Sequence, residues 1–199
     1  MLGKTLIHTL KYFLGLEESH TQTSQKERDA LASLATRANK VLEIGVYEGN
    51  ATKLLASSML KTGVLYAVDP FSTGNLGISY GLLITKSQIR RAKKLNNGVT
   101  VEVIKDFSYN AASNYSLNNF DLIFIDGDHS IEGIKRDWAD WSDRLNQGGF
   151  IALHDTRVPD YSPSVAGLGS FQYFESDIKF DLRFKLISQV DSLSILQKL

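Results

Sequence analysis

Short apolar segments alternate with helical patterns between residues 41 and 154, and this alternation constrains the fold more than any other feature of the chain. Short apolar runs bounded by turn residues are typical of strands buried on both faces of a parallel sheet. Two further segments flank Asp191-Ser192 and predict a hairpin, so the sheet should end antiparallel. The predicted strands are Val41 to Gly45, Val64 to Asp69, Val99 to Ile104, Phe120 to Asp126, Phe150 to His154, Phe184 to Val190 and Leu193 to Gln197.

The predicted fold class is therefore α/β, with a Rossmann-like seven-stranded sheet that is mostly parallel, has an antiparallel C-terminal hairpin and carries helices on both faces. A chain of 199 residues with 43% hydrophobic content can form one globular domain with a substantial core. Basic and acidic side chains both number 22, so no net charge would attract nucleic acid, and a small-molecule partner is expected. The absence of cysteine excludes zinc-thiolate sites and cysteine nucleophiles, and it is compatible with a cytoplasmic protein.

Residues 1–23 are predicted to form an N-terminal amphipathic helix and a polar connection, and residues 24–199 to form the domain itself. Lys4 and Lys11 interrupt the apolar content of this helix, so no membrane span is predicted. We expect the helix to pack on the domain or on a second subunit of a homo-oligomer rather than on a membrane surface. Its apolar stripe consists of Leu2, Leu6, Leu10 and Phe13.

Two helices of the domain have clear sequence signals. A capping box at Ser24 to Glu27 predicts the start of the first one. An apolar stripe that contains Trp138 and Trp141 predicts another helix, which starts at Ser130, ends at Gly148-Gly149 and buries both tryptophans. Two long connections, at about 70–84 and 156–170, interrupt the regular pattern, and we expect the second to close over a substrate.

Acidic residues recur at the ends of the first five strands, which core packing does not require. In an open parallel sheet, ligands bind outside the carboxyl ends of the strands, near the point where the strand order reverses. The strand ends therefore predict a ligand site. The first strand end carries Glu43, Gly45 and Gly49, the second Asp69 and the third Asp106. The fourth carries Asp126-Gly127-Asp128-His129 and the fifth His154-Asp155.

The first strand ends in Glu43-x-Gly45-x-x-x-Gly49, which predicts a cofactor loop. Glycine lets the backbone approach a ligand closely. A helix is predicted to start at about Asn50, and the free backbone N–H groups of its first turn can bind the same ligand. An acid at Asp69, at the end of the next strand, is placed to accept hydrogen bonds from a ribose diol. Tyr47 stands where a dinucleotide-binding loop has a glycine, so a cofactor without a pyrophosphate is favoured.

These motifs, together with Val68-Asp69-Pro70-Phe71, the strand ending at Asp126 and Leu145-x-x-Gly148-Gly149, resemble class I S-adenosylmethionine-dependent methyltransferases over roughly residues 25–199. The resemblance implies that the glycine loop supports the methionine part of S-adenosylmethionine. It further implies that Asp69 holds the ribose and that Asp106-Phe107 contacts adenine. The residues it places at the cofactor are Glu43, Gly45, Tyr47, Gly49, Asn50, Asp69, Pro70, Phe71, Asp106, Phe107 and Asp126.

The run from Ile125 to His129 and the later Leu153-His154-Asp155 are similar to small-molecule O-methyltransferases of the macrocin and catechol types. That resemblance implies a divalent cation held by Asp126 and Asp155. His154 departs from the family pattern, in which this position is more often acidic or small, and we predict it as the third candidate ligand. The imidazole of His154 weakens the case for Mg²⁺ and admits Mn²⁺, Fe²⁺ or no metal. His129 resembles the general base of the sugar-modifying relatives, so His129 and Asp126 are the predicted catalytic residues.

The predicted function is transfer of a methyl group from S-adenosylmethionine to a hydroxyl of a small molecule, of sugar or phenol type, either with assistance from a divalent metal or without a metal. Two alternatives stay open from the sequence. One is an NAD-dependent oxidoreductase, and the other is a non-catalytic module that binds S-adenosylmethionine or serves assembly. His129 could also be a local structural residue before the helix cap at Ser130, and His8 and His20 are expected at the surface.

Overall fold

The computed structural model describes residues 2–74 and 77–199, so part of the predicted connection at 70–84 lies outside the described residues. Its seven helices and seven strands alternate as predicted. The helices are α1 Leu2–Phe13, α2 Gln25–Ala35, α3 Asn50–Ser58, α4 Tyr80–Leu95, α5 Ser108–Asn114, α6 Ile131–Trp141 and α7 Gly169–Ser176. The strands are β1 Lys40–Ile44, β2 Val64–Val68, β3 Thr100–Ile104, β4 Phe120–Ile125, β5 Leu145–Leu153, β6 Phe184–Val190 and β7 Leu193–Lys198.

The strands form one seven-stranded sheet in the order β3-β2-β1-β4-β5-β7-β6. Strands β1 to β5 run parallel to one another, and β7 pairs antiparallel with both β5 and β6. The predicted fold class is therefore confirmed. The strand order reverses between β1 and β4, because the chain leaves β1 towards β2 on one side and returns with β4 on the other.

The sheet is buried on both faces, as its continuous apolar strands predict. One face packs on α2, α3 and α4 through side chains such as Leu31, Leu55 and Ala92. The other face packs on α5, α6 and α7, where Trp138 and Trp141 are buried as expected. Among the described residues, no helix combines the length and apolar character needed to cross a membrane.

The C-terminal boundary of α6 differs from the prediction. The helix ends at Trp141, a short 3-10 turn follows, and Leu145 already belongs to β5. Leu145 is buried, so it continues the helical stripe in sequence although its backbone is extended. Gly148 and Gly149, predicted to end the helix, lie inside this strand, where Gly148 has a φ of 76°.

Helix α1 exists, but its predicted apolar stripe is not the buried face. Leu6, Leu10 and Phe13 are exposed, while His8 and Tyr12 are buried against the rest of the chain. The helix therefore attaches through a polar and aromatic face. The division of the chain into residues 1–23 and 24–199 stays a prediction.

Candidate functional site

The carboxyl ends of β1 and β4 lie side by side where the strand order reverses, and their backbones touch there. A Cβ atom on Gly45 would lie 2.0 Å from the carbonyl oxygen of Asp126. Gly45 also has a φ of 84°, which favours glycine over other residues. Glycine is therefore required at this position both by the loop conformation and by the close approach of two strands.

Asp69, at the end of β2, organises the loop that follows β1. Its Oδ2 accepts hydrogen bonds from the backbone N–H groups of Val46 and Tyr47 at 2.9 and 3.1 Å, and its Oδ1 accepts from Phe71 N–H at 2.6 Å. Tyr47 and Phe71 have φ values of 56° and 46°. Left-handed backbone costs a non-glycine residue about 1–2 kcal/mol, so the surrounding contacts must hold it. The carboxylate of Asp69 supplies those contacts.

Helix α3 begins directly after this loop, with Gly49 as its N-cap at a φ of 73°. A Cβ atom on Gly49 would lie 2.9 Å from the Cα of Thr85 in α4, so this glycine also permits tight packing. No side chain among the described residues caps α3. Its first backbone N–H groups are therefore available to a ligand.

A cleft of about 740 Å³ opens over these strand ends. This volume suits a nucleoside-sized cofactor. The predicted cofactor residues that line it are Gly45, Tyr47, Asn50, Asp69, Pro70, Phe71, Phe107 and Asp126. Glu43, Gly49 and Asp106 lie outside its wall; Asp106 Oδ1 instead accepts hydrogen bonds from Phe107 N–H and Asn110 Nδ2, at 2.8 Å each.

Several wall residues were missed by sequence reasoning, namely His20, Gln22, Ser108, Tyr109, Arg136 and Asp137. Asp137 had a usable signal, because it lies three residues after Ile134 and four before Trp141, on the buried stripe of α6. A buried carboxylate on an apolar stripe is unusual, and it indicates that the group is paired or has a function. His20 and Gln22 precede the domain proper and had no comparable signal.

Glu43 is buried beneath the cleft rather than exposed in it. Neither of its carboxylate oxygens has a hydrogen-bond partner among the described residues. Burial raises the pKa of Glu43 to about 8, with Thr52 opposing the shift and the charges of Asp126 and Asp69 adding to it. Glu43 therefore lies below the loop, in surroundings that favour its protonated form.

The ends of β4 and β5 bring four predicted residues together, which we call the strand-end cluster: Asp126, His129, His154 and Asp155. Oδ1 of Asp126 lies 3.2 Å from His129 Nε2 and 2.9 Å from His154 Nδ1. Oδ2 of Asp155 lies 3.3 Å from His129 Nδ1 and 3.6 Å from His154 Nδ1. Ligand atoms of Asp126, His129 and His154 all lie within 4.8 Å of one another, and Asp155, whose φ is 53°, borders this group.

Charges in the strand-end cluster stabilise one another. Burial alone would raise the pKa of Asp126, but His129 and His154 outweigh it and hold that pKa below its usual value. The hydrogen bond to Asp126 raises the pKa of His129, against an opposing effect of burial. Burial lowers the pKa of His154, but Asp126 and Glu27 outweigh burial and raise it. The cluster thus holds protons between its carboxylates.

Glu27 joins this cluster to α2, which the sequence did not predict. Besides closing the capping box with Ser24, it accepts hydrogen bonds from Ser192 N–H and Oγ–H at 2.7 Å each. Its Oε2 lies 3.5 Å from His154 Nε2. His154 is buried, and neither of its ring nitrogens makes an aligned hydrogen bond. An imidazole in that state is suited to a further ligand.

A second group of histidines and carboxylates fastens the N-terminal segment to the cofactor loop; we call His8, Glu17, His20 and Glu48 the N-terminal clasp. The ring of His8 bridges Glu17 Oε2 at 2.7 Å and Glu48 Oε2 at 3.0 Å. His20 donates its backbone N–H to Glu48 at 2.7 Å and stacks on His8, with ring centroids 3.7 Å apart. The expectation that His8 is a surface residue is wrong, because these contacts bury it.

Solved structures with the same fold include methyltransferases. An O-methyltransferase from Bacillus cereus, in complex with S-adenosylhomocysteine, shares 22% identity at a TM-score of 0.66, covering 98% of this chain and 91% of that chain. A methyltransferase from Podospora anserina, bound to S-adenosylhomocysteine, shares 16% identity at a TM-score of 0.69, covering 98% and 87%. An O-methyltransferase involved in tomaymycin synthesis from Streptomyces achromogenes, in complex with S-adenosylmethionine, shares 15% identity at a TM-score of 0.62. The match covers 99% of this chain and 88% of that chain.

An uncharacterized protein of Acanthamoeba polyphaga mimivirus is 29% identical over 128 residues, which are 62% of this chain and 54% of that protein. The chain thus spans about half the length of this curated relative. A family model described as a methyltransferase domain matches residues 42–156, which include the glycine loop, Asp69, Asp106 and the strand-end cluster. The chain belongs to this methyltransferase family.

Proposed function

We propose that the protein transfers the methyl group of S-adenosylmethionine to a hydroxyl of a small molecule of sugar or phenol type. The observation that carries this proposal is the cleft at the switch point of the sheet, which shares Asp126 with the strand-end cluster. A cofactor seated on the glycine loop would thereby lie beside groups that can bind and deprotonate a hydroxyl. The dehydrogenase alternative loses its support, because the family that matches the chain is a methyltransferase family.

The cofactor would be held mainly by backbone and by Asp69. The three backbone N–H groups on Asp69 leave acceptor sites on its two oxygens for the ribose hydroxyls. The first N–H groups of α3, near Asn50, and the backbone after Gly45 would face the methionine end. Phe107 stands at the far wall of the cleft, where an aromatic ring can contact adenine.

Methyl transfer requires an acceptor oxygen in line with the carbon–sulfur bond. The oxygen lone pair attacks the methyl carbon, the carbon–sulfur bond breaks, and its electrons stay on sulfur to give S-adenosylhomocysteine. The hydroxyl proton would pass to Nδ1 of His129 in its neutral form. Asp126 holds Nε2 of this ring at 3.2 Å, whereas Nδ1 lies 3.3 Å from Asp155 without an aligned hydrogen bond. A positioned base typically contributes about 10²–10⁴-fold to such a step, and alignment supplies much of the rest.

The strand-end cluster also fits a divalent cation. Two carboxylates and the buried, unaligned Nδ1 of His154 converge on one point, and Asp126, His154 and Asp155 would hold the ion. Mixed imidazole and carboxylate ligands suit Mn²⁺ or Fe²⁺ better than Mg²⁺. When bound, such an ion lowers the pKa of a coordinated hydroxyl and orients the acceptor.

Isothermal calorimetry with S-adenosylhomocysteine tests the donor, and methyl transfer from isotopically labelled S-adenosylmethionine to panels of sugars and catechols tests the acceptor. We expect saturable binding and a labelled ether product. A protein that binds the cofactor yet methylates no hydroxyl in either panel would instead support the non-catalytic alternative. No binding at millimolar ligand would overturn the proposal as a whole.

Electron paramagnetic resonance of added Mn²⁺ tests the ion independently of activity. We expect binding by the wild type, loss of binding in Asp155→Asn, and normal binding in Asp160→Asn, which removes an exposed carboxylate from the following loop. If the wild type leaves the added Mn²⁺ free in solution, the cluster works through His129 without this metal. Unchanged turnover after exhaustive chelation would lead to the same conclusion.

A further inference from the structure

Asp137 is a buried carboxylate in the wall of the cofactor cleft that the mechanism above does not use. It lies on α6, is 5% exposed, and faces the cleft together with Ser108 and Gly127. Its neighbours on the buried stripe, Ile134 and Trp138, are apolar. A carboxylate is rarely kept at such a position unless its oxygens bind something.

The two oxygens of Asp137 have different surroundings. Oδ1 accepts a hydrogen bond from the hydroxyl of Ser108, whose oxygen in turn accepts from Trp141 Nε1 at 2.8 Å. Oδ2 has no hydrogen-bond partner among the described residues, and it lies 3.4 Å from where a Cβ atom of Gly127 would stand. One oxygen is thus anchored, and the other is directed over a glycine that lines the cleft.

The wall beside Asp137 is aromatic. Phe107 precedes Ser108 and is half exposed, and its ring stacks on Tyr109 with centroids 5.4 Å apart and planes 13° apart. The guanidinium of Arg136 lies 4.7 Å from the centre of the Tyr109 ring. Flat rings next to a single directed carboxylate suit a heteroaromatic base that carries an amino group.

The acid predicted for this end of the cleft, Asp106, is engaged elsewhere, with Phe107 N–H and Asn110. Among the described residues that line the cleft near Phe107, Asp137 is therefore the carboxylate that combines burial with an oxygen left open. The base it would face is the adenine of S-adenosylmethionine, so the inference rests on the proposed function.

We propose that Asp137 is the residue that recognises the adenine base, with Oδ2 accepting a hydrogen bond from the exocyclic amino group while Ser108 fixes the carboxylate. Hypoxanthine has a carbonyl oxygen in place of that amino group, and an ionised carboxylate would repel it. A hydrogen bond to a charged group contributes roughly 10–100-fold to affinity, so discrimination of that order is expected.

The protonation of Asp137 supplies a second signature. Burial raises its pKa to about 6, with Ser108 and Arg136 opposing and the charges of Asp140 and Asp128 adding to the shift. Above that pH the carboxylate accepts from adenine. Below it, the proton blocks this acceptor and can be donated to the carbonyl of hypoxanthine, so the preference for adenine should fade.

The test compares calorimetric affinities for S-adenosylhomocysteine and S-inosylhomocysteine between about pH 5 and pH 8, a range that spans the titration of a carboxyl with a raised pKa. We expect adenosyl binding to be about 10–100-fold tighter at the upper limit and the ratio to fall below about threefold at the lower one. Asp137→Asn, nearly isosteric, should bind both ligands with little pH dependence, because its amide can accept from one base and donate to the other. Asp140→Asn is the matched control on the same helix and should keep the wild-type ratio at neutral pH.

A ratio near one at all pH values in the wild type would overturn the proposal and leave the cofactor assignment intact. A wild-type ratio that Asp137→Asn reproduces, with the same pH dependence, would assign the discrimination to another residue and overturn it equally. If neither ligand binds at any pH, the proposed function fails and this inference fails with it.

Discussion

The strand-end cluster and the N-terminal clasp are both built from histidines and carboxylates at the border of the cofactor cleft, but their geometry differs. In the clasp, the rings of His8 and His20 are nearly parallel, at 12°, and lie 3.7 Å apart. In the strand-end cluster, the rings of His129 and His154 are tilted by 45° with centroids 6.1 Å apart. A metal ion lies in the plane of each imidazole that binds it, so stacked rings cannot share one ion.

The N-terminal clasp and the strand-end cluster also differ in the hydrogen bonds of their ring nitrogens. Both ring nitrogens of His8 are occupied by carboxylates, whereas those of His154 are buried without an aligned partner. Residue composition alone therefore does not distinguish a reactive group from a fastening one. The distinguishing property is that Nδ1 of His154 faces both Asp126 and Asp155 without forming an aligned hydrogen bond.

The largest difference between the two groups should appear in turnover. His129→Asn should lower methyl transfer to an acceptor found in the screen by about 10²–10⁴-fold, because a positioned base contributes that much. The affinity for S-adenosylhomocysteine should stay close to that of the wild type, since His129 lies outside the cleft wall.

His8→Asn makes the same chemical change in the clasp and serves as the control. It should leave the maximal rate within a few-fold of the wild type. Equal losses of rate in the two variants would contradict the division into a reactive and a fastening group.

Gly45 lies next to the strand-end cluster and Gly15 next to the N-terminal clasp. Substitution of each glycine by alanine compares the two regions through the free energy of unfolding. Gly45→Ala would place a Cβ atom 2.0 Å from a carbonyl oxygen, whereas Gly15→Ala, with a similar φ of 73°, meets no atom within 4 Å. The expected loss in free energy of unfolding is about 3 kcal/mol or more for Gly45→Ala and about 1–2 kcal/mol for Gly15→Ala. Urea denaturation measures both, and similar losses would show that the two strand ends can move apart.

The fold could be predicted because each strand is a short apolar run between turn residues, a pattern that survives without knowledge of contacts. The boundaries of helices and strands could not be predicted where one residue fits both a helical and a strand pattern. Leu145 fits the helical stripe of α6 and is also a buried residue at the start of β5, so the sequence placed it on the wrong element.

The same limit applies to the site. The acids that end parallel strands, such as Asp69 and Asp126, were predictable because topology brings strand ends to one edge. The contacts of Glu27 with His154 and of His8 with Glu48 were not, because they depend on how α2 and α1 pack against segments far away in the sequence. No local periodicity encodes that packing.

Two buried glutamates carry the comparison to pH dependence. Glu43 lies beneath the strand ends without a partner and has its pKa raised to about 8, while Glu48 in the clasp accepts two hydrogen bonds through Oε2. When folding raises the pKa of a carboxyl, that group stabilises the protein fully at a pH below its pKa in the unfolded chain. This contribution to the free energy of unfolding is lost as the pH rises towards the pKa in the folded protein. Relative to Glu43→Gln, the wild type should lose about 1.4 kcal/mol of stability between about pH 6 and pH 7.

Urea denaturation at several pH values measures this difference. Glu48→Gln is the matched substitution in the clasp, and it should destabilise the protein because it weakens contacts of His8 and His20. A constant difference between the wild type and Glu43→Gln across this range would show that Glu43 is ionised in the folded protein.

The smallest effect is expected from the clasp itself. Burial lowers the pKa of His8, but the hydrogen bonds to Glu17 and Glu48 outweigh it and raise that pKa above its usual value. The charged ring faces both carboxylates and the ring of His20, with Lys11 on the far side of Glu17. Its stabilising contribution is complete below the unfolded pKa of a histidine and is lost as pH rises through the folded value.

His8→Gln should therefore cost about 1 kcal/mol at mildly acidic pH, the usual contribution of a hydrogen bond, and less as the pH rises above neutrality. Hydrogen exchange of α1, corrected for intrinsic rates, should show the helix opening more readily at higher pH in the wild type but not in His8→Gln. Thr9→Ala, which removes a neighbouring buried hydroxyl bonded only within the helix, should give a loss that does not change with pH. If α1 is protected equally at all pH values in the wild type, the clasp is held by packing of Tyr12 rather than by the charge of His8.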